Sequence, residues 1–266
     1  MRVAFVSTYL PQRCGIAAYT DNLVRAIRRV DPSVEIRVVA ERGAAPLSEE
    51  GLEAVPCWDR REDYVEPIKR HVEGFDVVHV QHEYSIYGFD DRLPRLLEEV
   101  DAAKVVTIHC VRPAQHSERG RVDEDYAVRI AELADRVIVH LPSQREILAR
   151  RGIPREKVRV IPHGTTILSG DQAASRRRLG LPAEGVLLLM FGFIKRHKCI
   201  HVALEALKEI SERRGDVYLL IAGGLAPRPR ETDARYAEEV EELIGRLDLE
   251  DRVIYTKEYV PDEDVP

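Results

Sequence analysis

Short apolar, β-branched runs alternate along this chain with longer stretches in which apolar residues recur every three or four positions, and that alternation predicts strands separated by helices. Strands are expected near Arg2–Ser7, Glu35–Ala40, Val77–Val80, Lys104–His109, Arg136–His140 and Lys157–Ile161. Helical spacing fills the intervals near Ala17–Val30, Tyr64–Val72, Asp91–Val100, Asp123–Ala134 and Ser143–Arg151, the last opened by Pro142 and closed by Gly152. Strand–helix alternation of this kind builds βαβ units and a parallel sheet.

From Thr165 to Gly185 the pattern breaks into Gly, Ser, Arg and Pro, as a link between domains does. It then restarts with a strand at Val186–Phe191, a helix at Ile200–Arg213, a strand at Val217–Ala222, a helix at Ala234–Leu247 and a strand at Arg252–Thr256. The expected class is therefore α/β, with two Rossmann-like domains built on parallel sheets. Residues 1–165 form the first, 166–185 link, and 186–266 begin a second that reads as incomplete, because a doubly wound sheet ordinarily has five or six strands.

Composition narrows the function. The chain has 266 residues, 44% hydrophobic and 32% charged, enough for two globular cores without staples. A net charge of −6 argues against a nucleic-acid partner, which calls for an excess of Lys and Arg on one face. Cys14, Cys57, Cys110 and Cys199 lie far apart with no C-x-x-C pair, which suggests neither a zinc site nor a disulfide framework and fits a reducing cytoplasm. Neither a signal peptide nor a membrane span is expected.

Ligands of open α/β sheets bind at the carboxyl ends of the strands, so residues directly after each strand are the candidates. Gly15 opens a helix after the first strand, where free N–H groups suit an anion or a sugar hydroxyl; a plain turn glycine is the alternative. His82, Glu83 and Tyr84 lie in a polar, aromatic stretch suited to sugar or acceptor contact. His79, His82 and Glu83 resemble a metal set, but at strand spacing the two histidines face opposite ways, and no metal is assigned. His109 closes a strand of Val-Val-Thr-Ile, a place that favours a functional histidine, whereas His163 reads as part of the turn into the link. Lys195, Arg196, His197 and Lys198 follow a strand and precede a helix, an arrangement that holds a diphosphate; a solvated basic turn is the alternative. Gly223 and Gly224 end a strand as a pair suited to a nucleotide. Dinucleotide, P-loop and nucleophile-elbow motifs are all missing.

Taken in order, Cys14-Gly-Ile-Ala-Ala-Tyr-Thr20, Gln81-His-Glu-Tyr84, Thr107-Ile-His109, Ile161-Pro-His-Gly164, Phe191-Gly-Phe-Ile-Lys-Arg-His-Lys198, Ala222-Gly-Gly224 and Tyr259-Val-Pro-Asp-Glu263 resemble the family-4 (group 1) retaining glycosyltransferases of GT-B fold. The resemblance implies a nucleotide-sugar donor, a carbohydrate, lipid-linked or small-molecule acceptor, retention of configuration, and no metal or other cofactor. It assigns the donor diphosphate to Lys198 and, because Phe193 stands where the family carries arginine, to Lys195 with Arg196 in reserve. Gly15 would approach the phosphates, and His109 would contact the transferred sugar across a cleft onto which His82 also opens. The family's E-x7-E segment lies beyond residue 266, so the chain is expected to be weakly active or inactive and to self-associate through an uncovered edge. Homo-oligomerisation and peripheral membrane contact are left open. A catalytically silent accessory chain and a nucleotide-sugar epimerase-like enzyme are the competing readings.

Overall fold

A computed structural model describes residues 1–117, 119–165, 167, 170–227 and 229–260. The chain divides into two compact units, Met1–Gly164 and Thr165–Pro266. The Pro261–Glu263 part of the Tyr259–Glu263 motif lies outside the described residues.

In the first unit β1 (Arg2–Ser7), α1 (Gly15–Val30), β2 (Glu35–Glu41), β3 (Leu47–Glu49), β4 (Leu52–Trp58), α2 (Val65–Val72), β5 (Val77–His82), α3 (Tyr84–Tyr87), α4 (Arg92–Glu99), β6 (Ala103–Ile108), α5 (Arg121–Leu133), β7 (Arg136–Val139), α6 (Pro142–Arg150) and β8 (Val158–Val160) follow one another. Their eight strands form one sheet in the order β3-β4-β2-β1-β5-β6-β7-β8. All neighbours run parallel except β3 against β4.

Both faces of this sheet are covered, and the strand period of two sorts β1 between them. Ala4 and Val6 enter a large core with Val78, Val80, Val106, Ile108, Leu93 and Leu96. Val3 and Phe5 enter a second core with Val24, Ile36 and Val38. α1 buries Ala17, Thr20 and Val24, three to four residues apart, and places Arg28 and Arg29 in its last turn, where their charge favours the helix dipole.

β3 and β4 are strands that the sequence pattern does not predict. Pro56 sits inside β4 and reads against a central strand, but it falls beside the register shift between β2 and β4, the kind of irregularity at which a sheet tolerates proline. A second difference is α7 (Gln172–Arg178), which stands inside the stretch read as a link and is capped by Asp171, whose carboxylate accepts from Ala173 N and Ala174 N.

The second unit continues with β9 (Val186–Phe191), α8 (Ile200–Ser211), β10 (Val217–Gly224), α9 (Glu231–Arg246) and β11 (Val253–Lys257). Its three strands make a parallel sheet in the order β11-β10-β9. Leu219 and Ile221 of β10 pack with Leu204 and Leu207 of α8 and with Tyr236 and Val240 of α9. Leu189 and Phe191 of β9 are 61% and 50% exposed, so this edge strand is covered far less than its neighbour. Among the described residues no helix is long and apolar enough to cross a membrane.

Candidate functional site: a histidine-lined sheet end and a cationic turn

In the first unit's sheet the connections reverse direction at β1, which has β2 on one side and β5 on the other. Crevices form at the carboxyl ends of strands at such a reversal. α1 begins there. Its N-cap, Cys14, makes no side-chain capping bond and its first turn holds no acid, so the positive end of the helix is left for a ligand. Gly15 is exposed, and a Cβ built on it would meet nothing within 4 Å. Two buried hydroxyls, Ser7 Oγ and Thr20 Oγ1, lie 2.7 Å apart and tie α1 to β1.

Beside this helix end, β5, β6, β7 and β8 deliver a connected row of polar side chains. His79 Nε2 lies 2.8 Å from Thr107 Oγ1 and 3.4 Å from Gln81 Nε2. Gln81 Oε1 is 2.9 Å from His109 Nε2, and His109 Nδ1 is 3.1 Å from His140 Nε2. His140 Nδ1 then donates to Ile161 O at 2.9 Å. Gln144 of α6 clamps the row from outside, with its Oε1 accepting from His140 N and Leu141 N, both at 2.9 Å, and its Nε2 donating to His109 O at 3.2 Å. Tyr19 of α1 presents its ring edge-on to His109, His140 and His163, with centroids 4.8, 5.7 and 5.5 Å away.

Burial governs the charge of this row. His109 is held down at about 3, first by desolvation and then by the neighbouring His140. His79 is held at about 4 by burial alone, and His140 is lowered for the same reason. At neutral pH these rings are uncharged, so His109 offers an uncharged wall and is far too weakly basic to act as a general base.

Other expectations fare differently. His82 is wholly buried (0% exposed), its ring packed against Tyr84, Tyr87 and Tyr126. Neither of its nitrogens has a partner among the described residues. It does not open onto a cleft, and the expected acceptor contact at His82 is replaced by a place in the core. Tyr84 is likewise buried, donating to Asp123 O at 2.9 Å, and offers no ligand contact. The physical reason for His82 is strand alternation: it ends β5 on the face opposite His79 and Gln81, where its ring packs on Tyr84 and Tyr87 of α3. Glu83 remains half-buried between them, its carboxyl pushed up by desolvation against the opposing pull of Arg112. His79 packs on Phe5, on the face opposite His82, so the His79/His82/Glu83 set is not brought together.

His163, read from sequence as part of a turn, instead stacks on His140 with ring centroids 3.6 Å apart. Sequence reasoning missed His140, Gln81, Gln144 and Tyr19 as members of the site. His140 ends a strand just as His109 does, so the rule applied to one finds the other. Nothing local marks Gln144, whereas Tyr19 lies within the Cys14–Thr20 stretch and Gln81 opens the Gln81–Tyr84 stretch.

In the second unit the cations follow β9. Lys195 caps a short 3₁₀ turn, Arg196–Lys198, after which Cys199 adopts a left-handed conformation (φ 55°) that starts α8. Lys195 is half-buried and Lys198 exposed. Arg196 bonds Glu239 of α9 at 2.9 Å and lies over the Tyr236 ring at 5.2 Å. The Gly223-Gly224 pair has a structural cause. A Cβ on Gly223 would fall 2.0 Å from Gly192 O, and one on Gly224 would fall 2.4 Å from Lys257 O. These glycines let the three strand ends converge beneath the cationic turn, with Ile194 N donating to Gly224 O at 2.9 Å.

Two parallel α/β units of this kind are shared with glycosyltransferases of GT-B fold. The Anabaena protein HepE, solved with UDP and glucose, superposes with a TM-score of 0.72 at 16% identity, covering 99% of this chain and 71% of that one. A UDP-forming α,α-trehalose-phosphate synthase from Burkholderia xenovorans gives 0.69 at 13% identity over 99% of this chain and 75% of its own. Residues 14–167 match "Glycosyltransferase Family 4" and residues 171–266 match "Glycosyl transferases group 1", and the chain belongs to that family. It is 26% identical over 251 residues to a D-inositol 3-phosphate glycosyltransferase of Acidothermus cellulolyticus, covering 88% of this chain and 54% of the relative. Over 134 residues it is 31% identical to the enzyme of that name from Kineococcus radiotolerans, covering 47% of this chain and 30% of the relative. The chain thus spans about half or less of the length of these two relatives.

Proposed function

We propose that this protein transfers a sugar from a nucleoside-diphosphate donor to a hydroxyl-bearing acceptor with retention of configuration, without a metal taking part in transfer. One observation carries the reading: His109 is fixed at a strand end between Gln81 and His140, and is half-buried and uncharged. With both ring nitrogens engaged by Gln81 and His140, this neutral imidazole presents a fixed, uncharged ring against a sugar without repelling or trapping charge. Lys195 and Lys198 take the donor diphosphate and stabilise the negative charge that grows on it as the glycosidic bond breaks. In the first unit, the open N-terminus of α1 at Gly15 suits an anionic or hydroxyl group of a ligand. The departing diphosphate itself accepts the acceptor's proton on the face it leaves, so no protein base is required, in keeping with the low basicity of His109. Glu83 is the acceptor contact that the sequence stretch Gln81–Tyr84 still supplies.

UDP is the first nucleotide to try, because HepE is solved with it, and inositol 3-phosphate the first acceptor, because of the relatives' name. The test incubates the protein with UDP-glucose, UDP-N-acetylglucosamine and other nucleotide sugars, with and without that acceptor, and follows released nucleotide and the anomeric NMR signal of the product. Acceptor-dependent release with an α-linked product from an α-linked donor supports the reading. Absence of both release and UDP binding overturns it, as does recovery of an epimerised donor.

A further inference from the structure

Three adjacent parallel strands, β6, β7 and β8, end in His109, His140 and His163, whose ring nitrogens lie within 4.8 Å of one another. Among the described residues this is the group of imidazoles, thiols and carboxylates placed closely enough to share one ion. His109 Nδ1 and His140 Nε2 stand 3.1 Å apart. Two nitrogens bound at about 2.0–2.1 Å to one tetrahedral ion would be separated by about 3.3 Å, so this pair needs only a small adjustment, whereas His163, stacked on His140 with centroids 3.6 Å apart, must rotate off that ring to direct a nitrogen at the same ion.

The outer nitrogens carry the stronger argument. His109 Nε2 faces Gln81 Oε1 at 2.9 Å and His140 Nδ1 faces Ile161 O at 2.9 Å. Both partners are acceptors, so both outer nitrogens carry hydrogens, and the two inner nitrogens are left as lone pairs directed at each other. A proton placed between them would make one ring a cation where burial opposes charge. A metal ion between them uses both lone pairs, and the amide and carbonyl oxygens then hold the ligand rings by their outer N–H groups, as outer partners of metal-bound histidines do. Turning the Gln81 amide end for end gives a metal-free alternative, with His109 neutral and bonded to His140.

We propose that His109, His140 and His163 form a binding site for a divalent transition ion of the zinc type. The set holds three imidazoles and no carboxylate, which disfavours Mg²⁺ and Ca²⁺ and suits Zn²⁺, Co²⁺, Ni²⁺ or Cu²⁺. His163 is exposed, giving the ion an entry route and leaving a coordination position open. The ion is not a participant in transfer. Resting on the transferase reading, its consequence is inhibition, since it places a positive ion beside the histidine that faces the donor sugar.

The experiment titrates EDTA-treated, desalted protein with Co²⁺, reading visible d–d bands, and with Zn²⁺ in competition with a chromophoric chelator. One equivalent bound at micromolar or tighter dissociation constant is expected. His163→Asn, at an exposed position, and His140→Gln should each weaken it at least tenfold, while His71→Asn, on α2, should leave it unchanged. Circular dichroism of each variant guards against misfolding. Failure of the wild type to bind an equivalent overturns the proposal, as does binding that survives His163→Asn and His140→Gln together. UDP titration of the same samples separates the two readings: Zn²⁺ bound without UDP removes the transferase reading alone, and UDP bound without Zn²⁺ removes the metal site alone.

Discussion

His82 gives the most demanding test of how burial sets charge in the first unit. Its ring is wholly enclosed and held at about 3, against 6.5 for a free imidazole, and His79 is held at about 4. In the unfolded chain both rings take up a proton as pH falls through about 6.5, whereas the folded protein does so only near their lowered values. Folding therefore loses stability as pH falls, over the window from about 6.5 down to about 4 for His79 and about 3 for His82, and stability is independent of these rings above it. One pH unit is worth about 1.4 kcal/mol per ring, so at about pH 5 each ring costs about 2 kcal/mol and the two together about 4 kcal/mol, a large part of an ordinary domain's stability. Replacing His82 with Phe keeps a flat ring among Tyr84, Tyr87 and Tyr126 and removes both the proton site and two nitrogens without partners among the described residues. The variant should match or exceed the wild type at about pH 7.5 and lose about 2 kcal/mol less on going to about pH 5. Trp58 is the only tryptophan, fully buried and stacked on Tyr87, so its fluorescence during urea unfolding reports this unit. Equal pH dependence in the wild type and His82→Phe would refute the reasoning, and so would a wild type equally stable at both pH values.

Lys198→Ala and Lys195→Ala should each weaken UDP binding about ten- to a hundredfold in calorimetry, the size of a charge-assisted hydrogen bond. Arg196→Ala should change it less than about twofold, because that guanidinium is engaged by Glu239 and Tyr236; unchanged binding in both lysine variants would make the turn a solvated surface. Gly223→Ala should destabilise the second unit by about 3 kcal/mol or more, since the added methyl has backbone in its way, and hydrogen exchange at Leu219 and Ile221 would reveal it as lost protection. Thr20→Val strands the buried Ser7 hydroxyl and should cost about 1–3 kcal/mol in the urea midpoint followed by Trp58.

Most of the order of strands and helices, β3, β4, α3 and α7 apart, the α/β class and the position of His109 at a strand end were legible in the sequence, because periodicity reports which residues a sheet and its helices must bury. The same reasoning located the cations after β9, a strand-end loop entering a helix. Pairing and side-chain direction were not legible. β4 carries Pro56 and looks unlike a strand until its neighbour's register shift is known. His82 and His109 read alike as polar residues at strand ends, yet strand alternation sets the first among aromatic rings on one face while the second, on the other face, stays half-buried. His140, His163, Gln144 and Tyr19 come from β7, β8, α6 and α1, and only the lateral order of the strands sets them beside His109. A sequence records what each segment buries; which segments lie side by side, and so which nitrogens face one another across 3.1 Å, is decided when the sheet assembles.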